Sequence, residues 1–216
     1  ILGRKPRGIA VSAIEHAAIL DTAAASGAAV HSLGVDSAGL VADGQSLPEG
    51  TDLVAVMHVN NEIGTIQPVV ELAQQAHAAG ALFLCDAVQG AGKLSLPEGA
   101  DMIALSAHKL YGPKGIGALW VRDGVELAPL IHGGGQEAGL RSGTLSPALC
   151  AGFGAAAALA RARQQDDAAH VAQLWSLARD ALPGWILNGS AEQRWRGNLN
   201  LRRDGLDVSR LMSDLR

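Results

Sequence analysis

Met102-Ile103-Ala104-Leu105-Ser106-Ala107-His108-Lys109-Leu110-Tyr111-Gly112-Pro113-Lys114-Gly115-Ile116-Gly117 passes from an apolar stretch of strand length into a polar cluster and then a glycine-rich turn. A short, continuous apolar run reads as a strand buried on both faces, and such strands occur in parallel sheets covered by helices. Working outward, the same pattern recurs. Residues 8–13, 30–35, 53–59, 81–87, 102–107 and 117–122 are each apolar runs bounded by turn or polar residues, and each is predicted as a strand. Residues 15–26 and 68–79 are predicted as helices between them, the second opening on Pro68 and closing before Gly80. The expected fold class is α/β, a mostly parallel sheet with flanking helices.

Farther along, residues 147–182 turn helical and alanine-rich, with a break expected near 164–167. Residues 185–188 and 198–202 are predicted as two strands and 208–215 as a helix. The expected organisation is a large domain over 1–165 and the beginning of a smaller α/β C-terminal domain over 166–216. Ile1 stands where an initiator Met is usual, so the expectation is a sequence cut from something longer.

With 48% hydrophobic and 18% charged residues in 216, the chain has enough apolar surface to offset ordering entropy and is expected to be globular. Its formal net charge is -4, and its one basic stretch is Arg4-Lys5-Pro6-Arg7, which gives no footprint for nucleic acid or an anionic membrane. The most apolar segment, 151–160, is too short to cross a bilayer, which takes about 20 residues. A small soluble substrate is the expected partner. The only cysteines, Cys85 and Cys150, form neither a disulfide framework nor a metal-ligand pair, which fits a reducing, cytoplasmic compartment.

Four polar clusters follow predicted strands: Glu15-His16, Asn60-Asn61-Glu62, Asp86-Ala87-Val88-Gln89 and Ser106-Ala107-His108-Lys109. Ligands of open α/β sheets bind outside the carboxyl ends of the strands, so these clusters are candidates for one site. Taken alone, Lys109 reads as a solvated surface group and Asp86 as a cap or turn residue. In a partly desolvated cleft, however, an amine is a usable nucleophile toward an aldehyde. A carboxylate such as Asp86 can face a pyridinium nitrogen and keep it protonated, and Gln89 could hydrogen-bond a phenolic oxygen.

These residues resemble the cysteine desulfurases of the class V aminotransferase group, the fold-type I enzymes dependent on pyridoxal 5′-phosphate. The resemblance rests on Ser106 to Gly115, on Met57-His58-Val59-Asn60-Asn61-Glu62-Ile63-Gly64, on Asp86 to Gln89, and on Gly133-Gly134-Gly135-Gln136-Glu137-Ala138-Gly139-Leu140-Arg141-Ser142-Gly143-Thr144. It runs from about residue 9 to 153, and more loosely to the C-terminus. It implies that Lys109 bonds the cofactor aldehyde, Asp86 pairs with the ring nitrogen and His16 stacks on the ring, a core or cap role being the alternative for His16. It further implies that Gln89 and Asn61 orient the phenolic oxygen and substrate, and that Ser106 and His108 hold the phosphate. Thr144 would reach the phosphate of a neighbouring subunit in a homodimer. The reaction implied is conversion of L-cysteine to L-alanine, with sulfur passing through an enzyme persulfide to an acceptor protein for iron–sulfur cluster or thio-cofactor assembly.

Selenocysteine lyases and small-amino-acid aminotransferases share the Lys/Asp/His arrangement and stand as alternatives, as does a non-catalytic scaffold. The family's upstream phosphate turn, its downstream catalytic cysteine loop and its carboxylate-binding arginine are not found in this sequence, so no cysteine desulfuration is expected from it alone. Cys85, Cys150, His58 and His132 are read as structural. Gly90-Ala91-Gly92-Lys93 is followed by Leu94 and lacks the glycine spacing of a phosphate loop, Gly133-Gly134-Gly135 does not continue into a dinucleotide fingerprint, and Cys85, Asp86, His108 and His132 lack zinc-site spacing, so no metal is expected.

Overall fold

In a computed structural model describing residues 1–215, the apolar runs at 8–13 and 53–59 become adjacent, fully buried strands: β1 (Gly8–Ser12) and β3 (Leu53–Met57). With β2 (Ala29–Leu33), β4 (Leu82–Asp86), β5 (Met102–Ser106) and β6 (Gly117–Val121) they form one six-stranded sheet in the order β2-β1-β3-β4-β5-β6. Every pair is parallel except β5 with β6, which is antiparallel. The mostly parallel α/β expectation is met.

Side chains alternate across the sheet, so each strand feeds two cores. Ala10, Val54, Val56, Phe83 and Cys85 pack on α2 (Val69–Ala78) through Val69, Leu72, Ala73 and Ala76. On the other face Ile9, Val11, Leu53, Ala55, Leu84 and Met102 pack with Ile19 and Ala23 of α1 (Ala17–Ala25). Asp101, its side chain fully buried, closes the α2 side: it accepts from the Phe83 N–H, from Arg122 Nε at 2.8 Å and pairs with His77 Nε2 at 2.9 Å.

α3 (Pro147–Ala181) departs from expectation, for it runs 35 residues without the break predicted near 164–167. Position 165 therefore falls inside a continuous helix. The polar run Gln164-Gln165-Asp166-Asp167 looked like an interruption, but it sits on an exposed stretch where helix hydrogen bonds cost nothing to keep. Near its start α3 braces the sheet: Ala156, Phe153 and Ala160 pack against Leu110 and Ala91.

The predicted strands after it shrink to β7 (Ile186–Leu187) and β8 (Leu201–Arg202), an antiparallel pair outside the main sheet, followed by α4 (Val208–Asp214). No helix among the described residues is long and apolar enough to cross a membrane.

Candidate functional site

The strand order carries the site. β1, β3, β4 and β5 lie side by side and parallel, so the four polar clusters that follow them in sequence emerge along one edge of the sheet in the same order. Asp86 ends β4, opposite Met57 of β3 and Ala104 of β5. Lys109 stands in the 3-10 turn Ala107–Leu110 that immediately follows β5.

Asp86 is half-buried, and its Oδ1 accepts the Val88 N–H at 2.9 Å, leaving Oδ2 for another partner. Burial pushes its carboxyl above the ordinary value, against the pull of the Val88 N–H and of His16. His16 is the N-cap of α1: its Nδ1 accepts the Ala18 N–H at 3.0 Å. The cap role and a stacking role are compatible, because capping uses one edge of the imidazole and leaves its faces free. Lys109, His16 and Asn61 are exposed, so the edge is open to a ligand.

Asn60 is buried and shapes the turn that presents Asn61. Its Oδ1 accepts the Glu62 and Ile63 N–H groups and its Nδ2 donates to the Ile14 carbonyl, tying the β3 cluster to the β1 cluster. From the far side, Asn198 Nδ2 and Asn200 Nδ2 donate to the Glu62 carbonyl, and Trp195 N–H to the Gly64 carbonyl. Gly64 has φ +73°, and a Cβ there would stand 2.8 Å from the Asn198 Cβ, so only glycine suits this turn. The segment around β7 and β8 thus clamps the turn that carries Asn61.

Ser106 Oγ and His108 Nδ1 lie 2.8 Å apart, forming a polar pair one residue from Lys109. Thr144 stands apart from this cluster. It is exposed and lines a broad, mainly apolar cleft of about 1550 Å³ between β4–β6, the loop before α3 and α3 itself, and no other predicted site residue lines that cleft.

Cys85 matches its structural reading, and Cys150 lies on a helix as expected. Cys85 points into the α2-side core while its neighbour Leu84 packs on the α1 side, as alternation requires, and burial pushes its thiol far up. Cys150 is an exposed free thiol on α3. His58 is buried, its pKa lowered by desolvation, and it packs so closely on Gly90 that a Cβ there would sit 2.1 Å from its Nδ1. Among the described residues no three His, Cys, Asp or Glu side chains are grouped to hold a metal ion.

Two residues escaped the sequence reading. Glu15, next to His16 in the first polar cluster, has a buried side chain that accepts from Ser12 Oγ and the Met57 N–H; burial, ahead of the repulsion from Asp86, raises its pKa to about 7. Lys93, which lies in the Gly90–Lys93 stretch that lacks phosphate-loop spacing, donates from Nζ to Gln89 Oε1 at 2.9 Å. The four-residue interval between Gln89 and Lys93 was the available signal.

A family match covers residues 3–214: Aminotransferase class-V. The chain is 44% identical over 171 residues to "Cysteine desulfurase IscS" of Rickettsia bellii, covering 75% of this chain and 42% of that protein. It is 39% identical over 228 residues to "Cysteine desulfurase IscS" of Shewanella woodyi, covering 99% of this chain and 56% of that protein. It spans about half the length of these curated relatives. Among solved structures, DndA from Streptomyces lividans superposes with a TM-score of 0.87 at 38% identity, over 99% of this chain and 64% of that one. A NifS-like protein superposes at 0.89 and 34% identity, over 96% and 60%.

The cofactor of these families is pyridoxal 5′-phosphate, and the donor set fits it: an amine on one strand end, a carboxylate with a free oxygen on the next, an imidazole beside it, and hydroxyl and amide donors for the anionic groups. The sheet order, the four edge clusters and a match over nearly the whole sequence agree, and the chain belongs to the class-V aminotransferase family.

Proposed function

We propose that the chain is the cofactor-binding part of a cysteine desulfurase, acting on L-cysteine to give L-alanine and passing the sulfur, through an enzyme persulfide, to an acceptor protein for iron–sulfur cluster or thio-cofactor assembly. The observation that supports this reading is the placement of Lys109 and Asp86 on neighbouring parallel strand ends, β5 and β4. Pyridoxal phosphate supplies an aldehyde to bond the amine and a protonated ring that absorbs the electrons released at the substrate Cα. Lys109 is the nucleophile toward that aldehyde and the base that takes the Cα proton. Asp86 holds the ring nitrogen protonated, and His16 packs on the ring. Gln89 and Asn61 orient the phenolic oxygen and substrate, while Ser106 and His108 hold the phosphate.

Thr144 lies outside this cluster, on an exposed loop, which supports a role toward the phosphate site of a second copy in a homodimer. A division of the chain at about residue 165 and a cytoplasmic setting for its two free thiols complete the reading. Cys85 is buried with its thiol pushed up, which argues against it as the sulfur-accepting group.

Titrating the protein with pyridoxal phosphate tests the reading. A visible band of lysine-bound cofactor forms in the parent protein and is lost in Lys109→Ala. Identical spectra for the two proteins would overturn it.

A further inference from the structure

Gln89 carries an amide whose two ends have opposite hydrogen-bonding character: Oε1 accepts and Nε2 donates. Which end faces a ligand decides whether Gln89 can serve an anionic oxygen. The Lys93 ammonium can only donate, and it lies 2.9 Å from the Gln89 amide, so the atom it meets must be the oxygen. Resting on the cofactor reading above, we infer that Lys93 is a positioning residue: by holding Gln89 Oε1 it leaves Gln89 Nε2 as the end available to the phenolic oxygen of the cofactor.

Three features of the turn make this contact more than a surface pairing. Lys93 is half-buried, and the turn that carries it is pinned by hydrogen bonds from Ala91 N–H to Ala87 O and from Lys93 and Leu94 N–H to Gly90 O. Gly90 cannot swing away, because His58 fills the space beside it. Desolvation, followed by repulsion from Lys109, lowers the Lys93 pKa, which places its ammonium within electrostatic reach of the amine that bonds the aldehyde. With the cofactor bound, Lys93 would disfavour a proton at the Lys109 nitrogen in two ways of the same sign: through its own positive charge, and through the oriented Gln89 amide, which would draw negative charge away from the phenolic oxygen.

The test is a pH titration of the visible band of lysine-bound cofactor in the parent protein, Lys93→Met, Lys93→Arg, Gln89→Met and the Lys93→Met/Gln89→Met double variant. Lys93→Met raises the midpoint by roughly 0.5–1 pH unit, the size expected for one hydrogen bond. Lys93→Arg, which keeps a charged donor, restores it, and this rescue separates lost orientation from lost folding. The double variant shifts no further than Lys93→Met alone. An unchanged midpoint in Lys93→Met, absence of rescue by arginine, or shifts that add in the double variant would each overturn the assignment. A parent protein that forms no band overturns the cofactor reading itself, and the Lys93 assignment with it.

Discussion

The Glu15 carboxyl accepts the backbone N–H of Met57 at 2.8 Å, and Met57 stands opposite Asp86 in the β3–β4 register. Its oxygen also accepts from Ser12 Oγ at the end of β1. One buried side chain thus ties the ends of β1 and β3, next to the strand end that carries Asp86. Its second oxygen, Oε2, is buried without a hydrogen-bond partner among the described residues, which favours the neutral acid over the carboxylate.

That state gives the first prediction. A carboxyl whose folded pKa is raised, here from 4.5 to about 7, binds more protons folded than unfolded across that window. Its contribution to stability is therefore full below 4.5 and is lost as pH rises to about 7. Glu15→Gln, neutral at every pH, should remove that loss, roughly 3 kcal/mol. Urea unfolding on either side of the window checks it, and a parallel decline in both proteins would contradict it.

Asp86 gives the second. It must be ionised to hold a ring cation, and burial raises its pKa, so cofactor affinity should begin to fall at a higher pH than an ordinary carboxylate would dictate. Asp86→Asn should weaken pyridoxal phosphate binding by about ten- to a hundredfold, the worth of a charge-assisted hydrogen bond, and remove this part of the pH dependence. Absorbance titration at several pH values reads both effects.

Asp101 behaves oppositely. Burial alone would raise its pKa, but the Phe83 N–H, His77 and Arg122 outweigh burial and hold it below 3.8. Its stabilisation is present above that ordinary value and is lost as pH falls through the folded pKa. Asp101→Asn should cost about 2–4 kcal/mol at neutral pH, because it strips a buried charge from the donors that surround it, and should flatten the acid limb of a thermal-denaturation profile.

The clamp on the Asn61 turn can be loosened without touching the edge. Asn198→Ala removes one of the two side-chain donors to the Glu62 carbonyl, leaving that of Asn200, and should cost about 1 kcal/mol. Hydrogen exchange should quicken at the Trp195 N–H, bonded to Gly64 O, and leave the β3–β4 amides protected. Uniform loss of protection would mean the clamp holds the whole sheet rather than the turn.

Lys109, Asp86 and their strands were legible in the sequence because a buried parallel strand is written as a short apolar run, and the polar residues that end it stand out against that run. The continuity of α3 was not legible, since a polar stretch such as 164–167 looks the same in a loop as on the exposed side of a helix. Glu15 looked like an edge group because nothing in Ser12-Ala13-Ile14-Glu15 tells which way the chain turns after β1.

What the sequence determined by itself was the set of strands, the polar residues at their ends and the family they resemble. Only the tertiary structure decided the rest: that four strand ends lie side by side, that Glu15 turns inward to Met57, and that Lys93 meets the oxygen of Gln89. The physical reason is range. An apolar run and its terminator are local, whereas a carboxyl's pKa or an amide's orientation depends on partners brought together by the sheet, 42 residues apart for Glu15 and Met57.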